Sequence, residues 1–508
     1  MLKRIIVNTS SNMAQLIVSM VVTFVMAPIY LKAMGHHDYG LREMVLALVG
    51  YMGMLDLGMR PTVSRFASMY NAQKDRDALL TVYACSLVFL GIVGFLLASF
   101  FWIWATTYPE WLNPSGEEEM AKYVLFLLLV GVQLLFVFPK YVTESYLEGL
   151  QRYYFKNMVN ILTTIAIAVI SYIYITPENG LVLLVGLGAA SQVIKLLIFG
   201  LILLKPALGT IYPNIRYFSR KKLQEMLSFG LKSFIQGAAY KVERLSDKLV
   251  IGSILGPAAL PVYTIPSTLV GYISSVTMTL THVFMPLFSD LNARNQQDKI
   301  KSIYMVASKL VVGLVIPMGV GVCLIGGPFI AIWLEGEFDP ALVDAIIVLL
   351  VVYTLVPKLN PFASRYLTAI NKHVIFAKVA PPAALGNLGL SIWLVFEYGV
   401  IGAALGSVLP VFVVMPIYLK VVANNLEITM LQFVKQVILP ALIPVTVMGV
   451  GLALWRVEYG FPGYLDIVLS VVVSGAVYGL LYWLVALKEE ERELLMRIVP
   501  ACFRRKVP

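Results

Sequence analysis

Fourteen apolar stretches, each long enough to cross a lipid bilayer, run along this 508-residue chain with only short polar links between them. A hydrocarbon core takes about 20 apolar residues per helix. Inside that core every backbone N–H and C=O has to find a partner within the protein, which leaves helices as the fold for stretches of this length. They fall near residues 8–32, 41–64, 79–105, 121–146, 157–175, 181–204, 225–255, 261–288, 303–334, 341–368, 379–396, 400–419, 434–454 and 464–487. Hydrophobic residues make up 59% of the chain and charged ones 13%, with a mean hydropathy of +0.82, well outside the soluble globular range. The expectation is an all-α polytopic membrane protein with about 14 transmembrane helices.

Charge placement sets the direction of each crossing. If Lys3 and Arg4 hold the N-terminus in the cytoplasm, every second loop is cytoplasmic, and these loops hold nearly all the loop cations. The opposite set holds Arg456 alone. Such a split predicts both termini inside. The formal net charge of +10 then needs no nucleic-acid partner, because basic loops beside an anionic inner leaflet account for it. The first apolar stretch is too long for a cleavable signal peptide and lacks a small-residue cleavage site. Cys85, Cys323 and Cys502 are scattered and suggest neither a disulfide framework nor a metal site. No phosphate-binding GxxxxGK[ST] loop occurs, so transport would draw on an ion gradient, the membrane potential or the substrate's own gradient. No cofactor is expected.

The chain also repeats itself. "LVGY" at 48–51 returns at 269–272, and Gly35, Ser68, Asn71, Asp77 and Tyr83 align without gaps on Gly256, Ser289, Asn292, Asp298 and Tyr304. "YLEGLQR" at 146–152 lines up with "YLTAINK" at 366–372 at nearly the same spacing. The repeat carries helix 1 onto helix 7, an even number of crossings, so the halves are parallel repeats of the kind found in transporters. The predicted divisions are 1–222, an N-lobe of six helices with a cytoplasmic linker; 223–432, a C-lobe of six; 433–487, two further helices; and 488–508, a cytoplasmic tail.

Charge inside the spans is the functional signal, since a cation at the bilayer centre costs about 2.5–3.5 kcal/mol on insertion scales. The seventh span is richest: Lys232, Gln236, Tyr240, Glu243 and Asp247 follow one helical face, with Lys241, Arg244 and Lys248 on a neighbouring stripe. Either an internal ion-pair network or a cavity wall would use such a face. The second span carries Asp56 and Arg60 at i,i+4, able to pair, with Gly58 and Pro61 suggesting a hinge or close packing. The fourth offers Lys140, Glu144 and Glu148 with a kink at Pro139, and the tenth offers Lys358 and Arg365 beside Pro357 and Pro361. Lys140 and Arg365 also suit helix ends snorkelling to the headgroups, as do Lys32, Arg42 and Lys122. His36-His37-Asp38 reads as a solvated turn and His282 as a satisfied interior histidine.

These segments resemble the polysaccharide-transporter (Wzx-type) family of the multidrug/oligosaccharidyl-lipid/polysaccharide flippase superfamily. The likeness lies in "MGHHDYGLR", "LDLGMRPTVSRF", "GLQRYYFKN" and "ERLSDKLVIGSILGPAALPVYTIPSTLVGY". The family's glycine-led turns after spans 1 and 7 fit Gly35 and Gly256, and its span-7 aspartate fits Asp247. The first outer turn departs from pattern, reading "GHHDYG", and Pro261 stands where glycine is frequent. The resemblance implies two pseudo-symmetric six-helix lobes in a V around a central cavity, plus two C-terminal helices. It implies a bacterial inner-membrane translocase, not an enzyme, for undecaprenyl-pyrophosphate-linked oligosaccharide units, working beside membrane lipids and polysaccharide polymerase and chain-length machinery. Cavity cations would be Arg60, Lys140, Lys232, Arg244, Lys248, Lys358 and Arg365, with Asp56, Glu144, Glu243 and Asp247 as counter-ions or ion-coupling groups. A lipid II flippase and a multidrug or cation antiporter of the same superfamily are the alternatives.

Overall fold

A computed structural model describes residues 2–108, 110, 116–205, 210–282, 284–493 and 496, with the side chains of 2–7, 9, 232, 233, 235–237, 239 and 240 outside the description. Among the described residues there is no strand. The chain folds as two units, the first Met1–Gly252 and the second Ser253–Pro508.

The first unit holds α1 (Leu2–Met52), α2 (Met59–Gln73), α3 (Arg76–Thr107), α4 (Glu117–Gly149), α5 (Tyr153–Tyr174), α6 (Gly180–Leu203) and nearly all of α7 (Arg220–Ile254). Its core is an apolar cluster around Phe101, Phe126, Phe138, Tyr83 and Tyr146, all buried, where α4 packs against α3 and α6. The second holds α8 (Pro261–Thr281), α9 (Phe284–Ala293), α10 (Gln297–Trp333), α11 (Pro340–Lys358), α12 (Ala363–Ala369), α13 (Val374–Tyr398), α14 (Val400–Leu426), α15 (Met430–Phe433), α16 (Leu439–Glu458) and α17 (Tyr464–Leu481). In it α11 packs on α10, α14 and α8, while α16 and α17 pack on each other and on α10.

Among the described residues, twelve helical runs are long and apolar enough to cross a membrane. Two features separate this number from the fourteen read off the sequence. Ser10–Asp56 is one run of 47 residues, although α1 breaks inside it at Gly35. The α7 helix has 35 residues, but its cluster of charged side chains keeps it out of the apolar set.

The internal repeat is visible in the backbone. Gly35 sits at φ 68°, ψ 176° and Gly256 at φ 87°, ψ 161°, a region open essentially to glycine alone. Lys74 and Asn295 end α2 and α9 at φ 57° and 56°, and Gln151 and Asn371 follow α4 and α12 at φ 59° and 58°. Each such end closes with the same backbone bonds. Asp75 N–H donates to Tyr70 O and Gln296 N–H to Leu291 O, both at 3.0 Å; Arg152 N–H donates to Leu147 O at 2.9 Å and Lys372 N–H to Leu367 O at 2.8 Å. These six-to-one bonds satisfy helix-end carbonyls that would otherwise be orphaned.

Candidate functional site

The first unit gathers its charge where α1 gives way to α2. A single 3-10 turn, Gly53–Asp56, is followed by Leu57 at φ 48° and Gly58 at φ 75°. The positive φ at Gly58 asks for glycine, and so does its neighbour: a Cβ there would collide with the carbonyl oxygen of Gly230 on α7. Gly230 is under the same constraint, since its Cβ would lie 2.6 Å from Leu57 O. The close packing expected at Gly58 is therefore present.

The pairing expected between Asp56 and Arg60 is not. Their i,i+4 spacing assumes one continuous helix, and the break falls between them. Asp56 instead accepts a hydrogen bond from Gly58 N–H at 2.9 Å, and the Arg60 guanidinium lies over the Tyr141 ring, 4.1 Å from its centre.

Tyr141 belongs to α4, which supplies the rest of the cluster. Lys140 donates to Glu144 at 3.0 Å across one helical turn, and its ammonium also lies 4.4 Å from the Tyr141 ring centre. Both partners are buried, at 8% and 7% exposure, so Lys140 is not a headgroup-seeking helix end. Lys195 on α6 is half-buried and stands within electrostatic range of both. One turn further along α4, Glu148 accepts from Lys156 at 2.9 Å. The arrangement places Arg60, Lys140 and Lys195 around one internal carboxylate, Glu144, with Asp56 engaged by backbone. A surplus of cations at least half-buried is chemistry for attracting and holding an anionic group.

The α7 stripe packs on α1. Lys248 donates to Glu43 at 2.7 Å, and Arg42 donates to the same carboxylate at 2.9 Å. Lys241 reaches Gly53 O at 3.1 Å, and Tyr51 shares a 2.7 Å hydrogen bond with Ser246. Asp247 is buried, Glu243 half-buried and Arg244 exposed. The side chains of Lys232, Gln236 and Tyr240 lie outside the described residues. Lys358, the last residue of α11, and Arg365, half-buried on α12, belong to the second unit.

Two histidine readings change. Asp38 is buried and paired with Lys122, and His37 approaches Tyr123 Oη at 3.2 Å, so this segment is tied to the start of α4 and is no solvated turn. Lys122 is accordingly held by a carboxylate. His282 is exposed at the C-terminal end of α8 and not interior. Among the described residues no group of three or more His, Cys, Asp or Glu is placed to hold a metal ion.

Sequence reading missed Glu43, Tyr141 and the position of Lys195 beside the pair. Glu43 has a usable signal, a carboxylate in the apolar run "LREMVLALVG". Tyr141 had none, because nothing in its type distinguishes a ring that holds two cations from one that fills a core.

Comparison with known proteins places this geometry in a class. The chain is 21% identical over 383 residues, 74% of its own length and 87% of the relative's, to a Shigella flexneri protein named "Putative O-antigen transporter". The solved structure of the lipid II flippase MurJ in an inward closed conformation superposes with a TM-score of 0.68 at 15% identity, covering 96% of this chain and all of that one. An inward-facing multidrug resistance MATE family transporter of the MOP superfamily gives a TM-score of 0.67 at 14% identity, covering 80% of this chain and 95% of that one. The shared fold is thus that of multi-pass transporters. The family described as "Polysaccharide biosynthesis protein" matches residues 1–292, more than half of the sequence and the whole of the charged cluster; the chain belongs to that family.

Proposed function

We propose that this protein is a flippase that moves polyprenyl-pyrophosphate-linked oligosaccharide units from the cytoplasmic to the outer leaflet of the bacterial inner membrane for surface polysaccharide assembly. It works by alternating access coupled to an ion gradient, with both termini in the cytoplasm and the polysaccharide polymerase and chain-length machinery as downstream partners. The observation that carries this reading is the cationic surplus of buried Lys140 and half-buried Arg60 and Lys195 around Glu144, within the segment that carries the family match. A diphosphate linked to acidic sugars is an anion that such a site recognises, and binding energy of this kind survives in low dielectric.

Arg244, Lys248 and Lys232 in the first unit, and Lys358 and Arg365 in the second, are the further cations assigned to the anionic cargo, while Asp56, Glu144, Glu243 and Asp247 serve as internal counter-ions or as the ion-coupling groups. A multidrug or cation antiporter of the same fold would call for carboxylates in excess, whereas this cluster sets three cations, Arg60, Lys140 and Lys195, against two carboxylates, Asp56 and Glu144. Replacing Arg60 or Lys358 by Ala is expected to abolish surface polysaccharide in cells whose membranes hold wild-type amounts of the protein. Full polysaccharide output from both variants would overturn the assignment.

A further inference from the structure

Arg60 and Lys140 come from different helices, α2 and α4, yet both charges rest on one aromatic ring. Their distances to the Tyr141 ring centre are 4.1 and 4.4 Å. Lys140 has Glu144 as an ion-pair partner. Arg60 has no carboxylate within ion-pair distance among the described residues, so the ring is the group that seats it. A ring face attracts a cation through its quadrupole, more strongly when water is excluded, and it does so without cancelling the charge. A carboxylate in the same place would compete with an anionic cargo.

We infer that Tyr141 is a positioning residue that holds the Arg60 and Lys140 charges at a fixed spacing, and so selects a cargo bearing two linked phosphates over one bearing a single phosphate. The inference rests on the flippase reading above and deepens it. Their distances to the shared ring centre put the two cationic centres no more than about 8.5 Å apart, a gap that two linked phosphates can bridge, whereas a monophosphate engages one centre only. Lys195, on the far element of the same cluster, adds attraction for either ligand and no discrimination between them. The ring face of Tyr141, and not its hydroxyl, seats the two cations.

The test compares binding of two probes of equal isoprenoid length, a polyprenyl diphosphate and a polyprenyl monophosphate, to the purified full-length chain in nanodiscs. Wild type is expected to prefer the diphosphate by about tenfold, a ratio within reach of desolvated cation–π energies. Tyr141→Phe keeps the ring and should keep the ratio. Tyr141→Leu and Tyr141→Met remove the ring and should bring the ratio close to one, and the two side chains guard against either variant failing to fold. A wild type without preference would sink the substrate reading itself. A wild-type preference that persists in the Leu or Met variant would overturn the role of Tyr141 alone, and so would its loss in Tyr141→Phe.

Discussion

Lys140 and Glu144 form a buried ion pair in the first half of the chain; at the equivalent positions 220 residues on, the second half carries Asn360 and Ser364. The same exchange recurs across the repeat. Asp56 and Arg60 become Thr277 and Thr281, Glu43 becomes Thr264 and Lys195 becomes Met415. What both halves keep is mechanical. Tyr83 packs on Tyr146 with ring centres 5.5 Å apart and planes at 85°, and their counterparts Tyr304 and Tyr366 sit 5.4 Å apart at 66°. The glycine breaks and left-handed helix ends recur as well. Duplication therefore preserved the scaffold and left this particular charged cluster in one copy, which is the pattern expected of a site grafted on a fold. Paired charge in the second unit has another use: buried Lys309 on α10 pairs with Glu491 at 2.6 Å, and half-buried Asp344 on α11 pairs with Arg456 on α16. Both pairs fasten a repeat helix to a segment beyond the repeat.

The most severe way to break this contrast is to leave one partner of a buried pair alone. Glu144→Ala strands Lys140, and Glu491→Ala strands Lys309; each is expected to cost about 3–5 kcal/mol, read as a loss of thermal stability in detergent. Putting the second half's residues into the first, Lys140→Asn with Glu144→Ser, removes both charges together and should recover most of that stability. Surface polysaccharide should nonetheless stay absent in cells carrying the double variant. Polysaccharide at wild-type levels would mean that the charged copy is no more functional than its neutral twin.

The glycine breaks offer a milder and symmetrical test. A Cβ at Gly35 or at Gly256 would meet nothing within 4 Å, so the cost of Gly→Ala is that of the backbone conformation alone, about 1–3 kcal/mol at either site. Melting of the two variants should fall by similar amounts. A large cost at one site only would show that the two breaks are not mechanical equivalents.

Both breaks could be read in the sequence because glycine is nearly obligatory at such φ and ψ, so residue type and conformation are tied together. The break at Leu57 and Gly58 was half legible: Gly58 marked it, but Leu57 at φ 48° has no compositional signature, and the i,i+4 pairing of Asp56 with Arg60 failed for that reason. Counting spans by apolarity matched the uniform helices, and where it expected the seventh span there is the 35-residue α7, whose charged residues are in part bonded to α1 and the turn that follows it. The charged cluster was legible as a set of cations, not as a geometry. Which cation sits on which ring depends on how α2, α4 and α6 meet, and a one-dimensional pattern holds no trace of that.

The shared tyrosines separate packing from hydrogen bonding. The Tyr304 hydroxyl donates to Asn360 Oδ1, whereas among the described residues the Tyr83 hydroxyl has no hydrogen-bond partner. Tyr304→Phe is expected to cost about 1–2 kcal/mol, because a buried acceptor on Asn360 loses its donor. Tyr83→Phe should be close to neutral, and the difference in melting temperature between the two variants measures it. Equal losses would show that the hydroxyls contribute alike and that the second half's Asn360 is not specially served.

The smallest effect lies at the ends of α2 and α9, which share a turn but not a residue. Lys74 and Asn295 occupy the left-handed region at φ 57° and 56°, where a Cβ is penalised and asparagine tolerates the conformation better than lysine does. Glycine removes the penalty at both sites. Lys74→Gly should therefore stabilise by up to about 1 kcal/mol and Asn295→Gly by about half as much or less. Neither substitution disturbs the closing bonds from Asp75 and Gln296, which are backbone to backbone, so any shift in melting temperature reports the residue's own conformational cost. If Asn295→Gly gained more than Lys74→Gly, the first turn would owe its shape to a contact of the lysine side chain and not to the helix end that the two halves have in common.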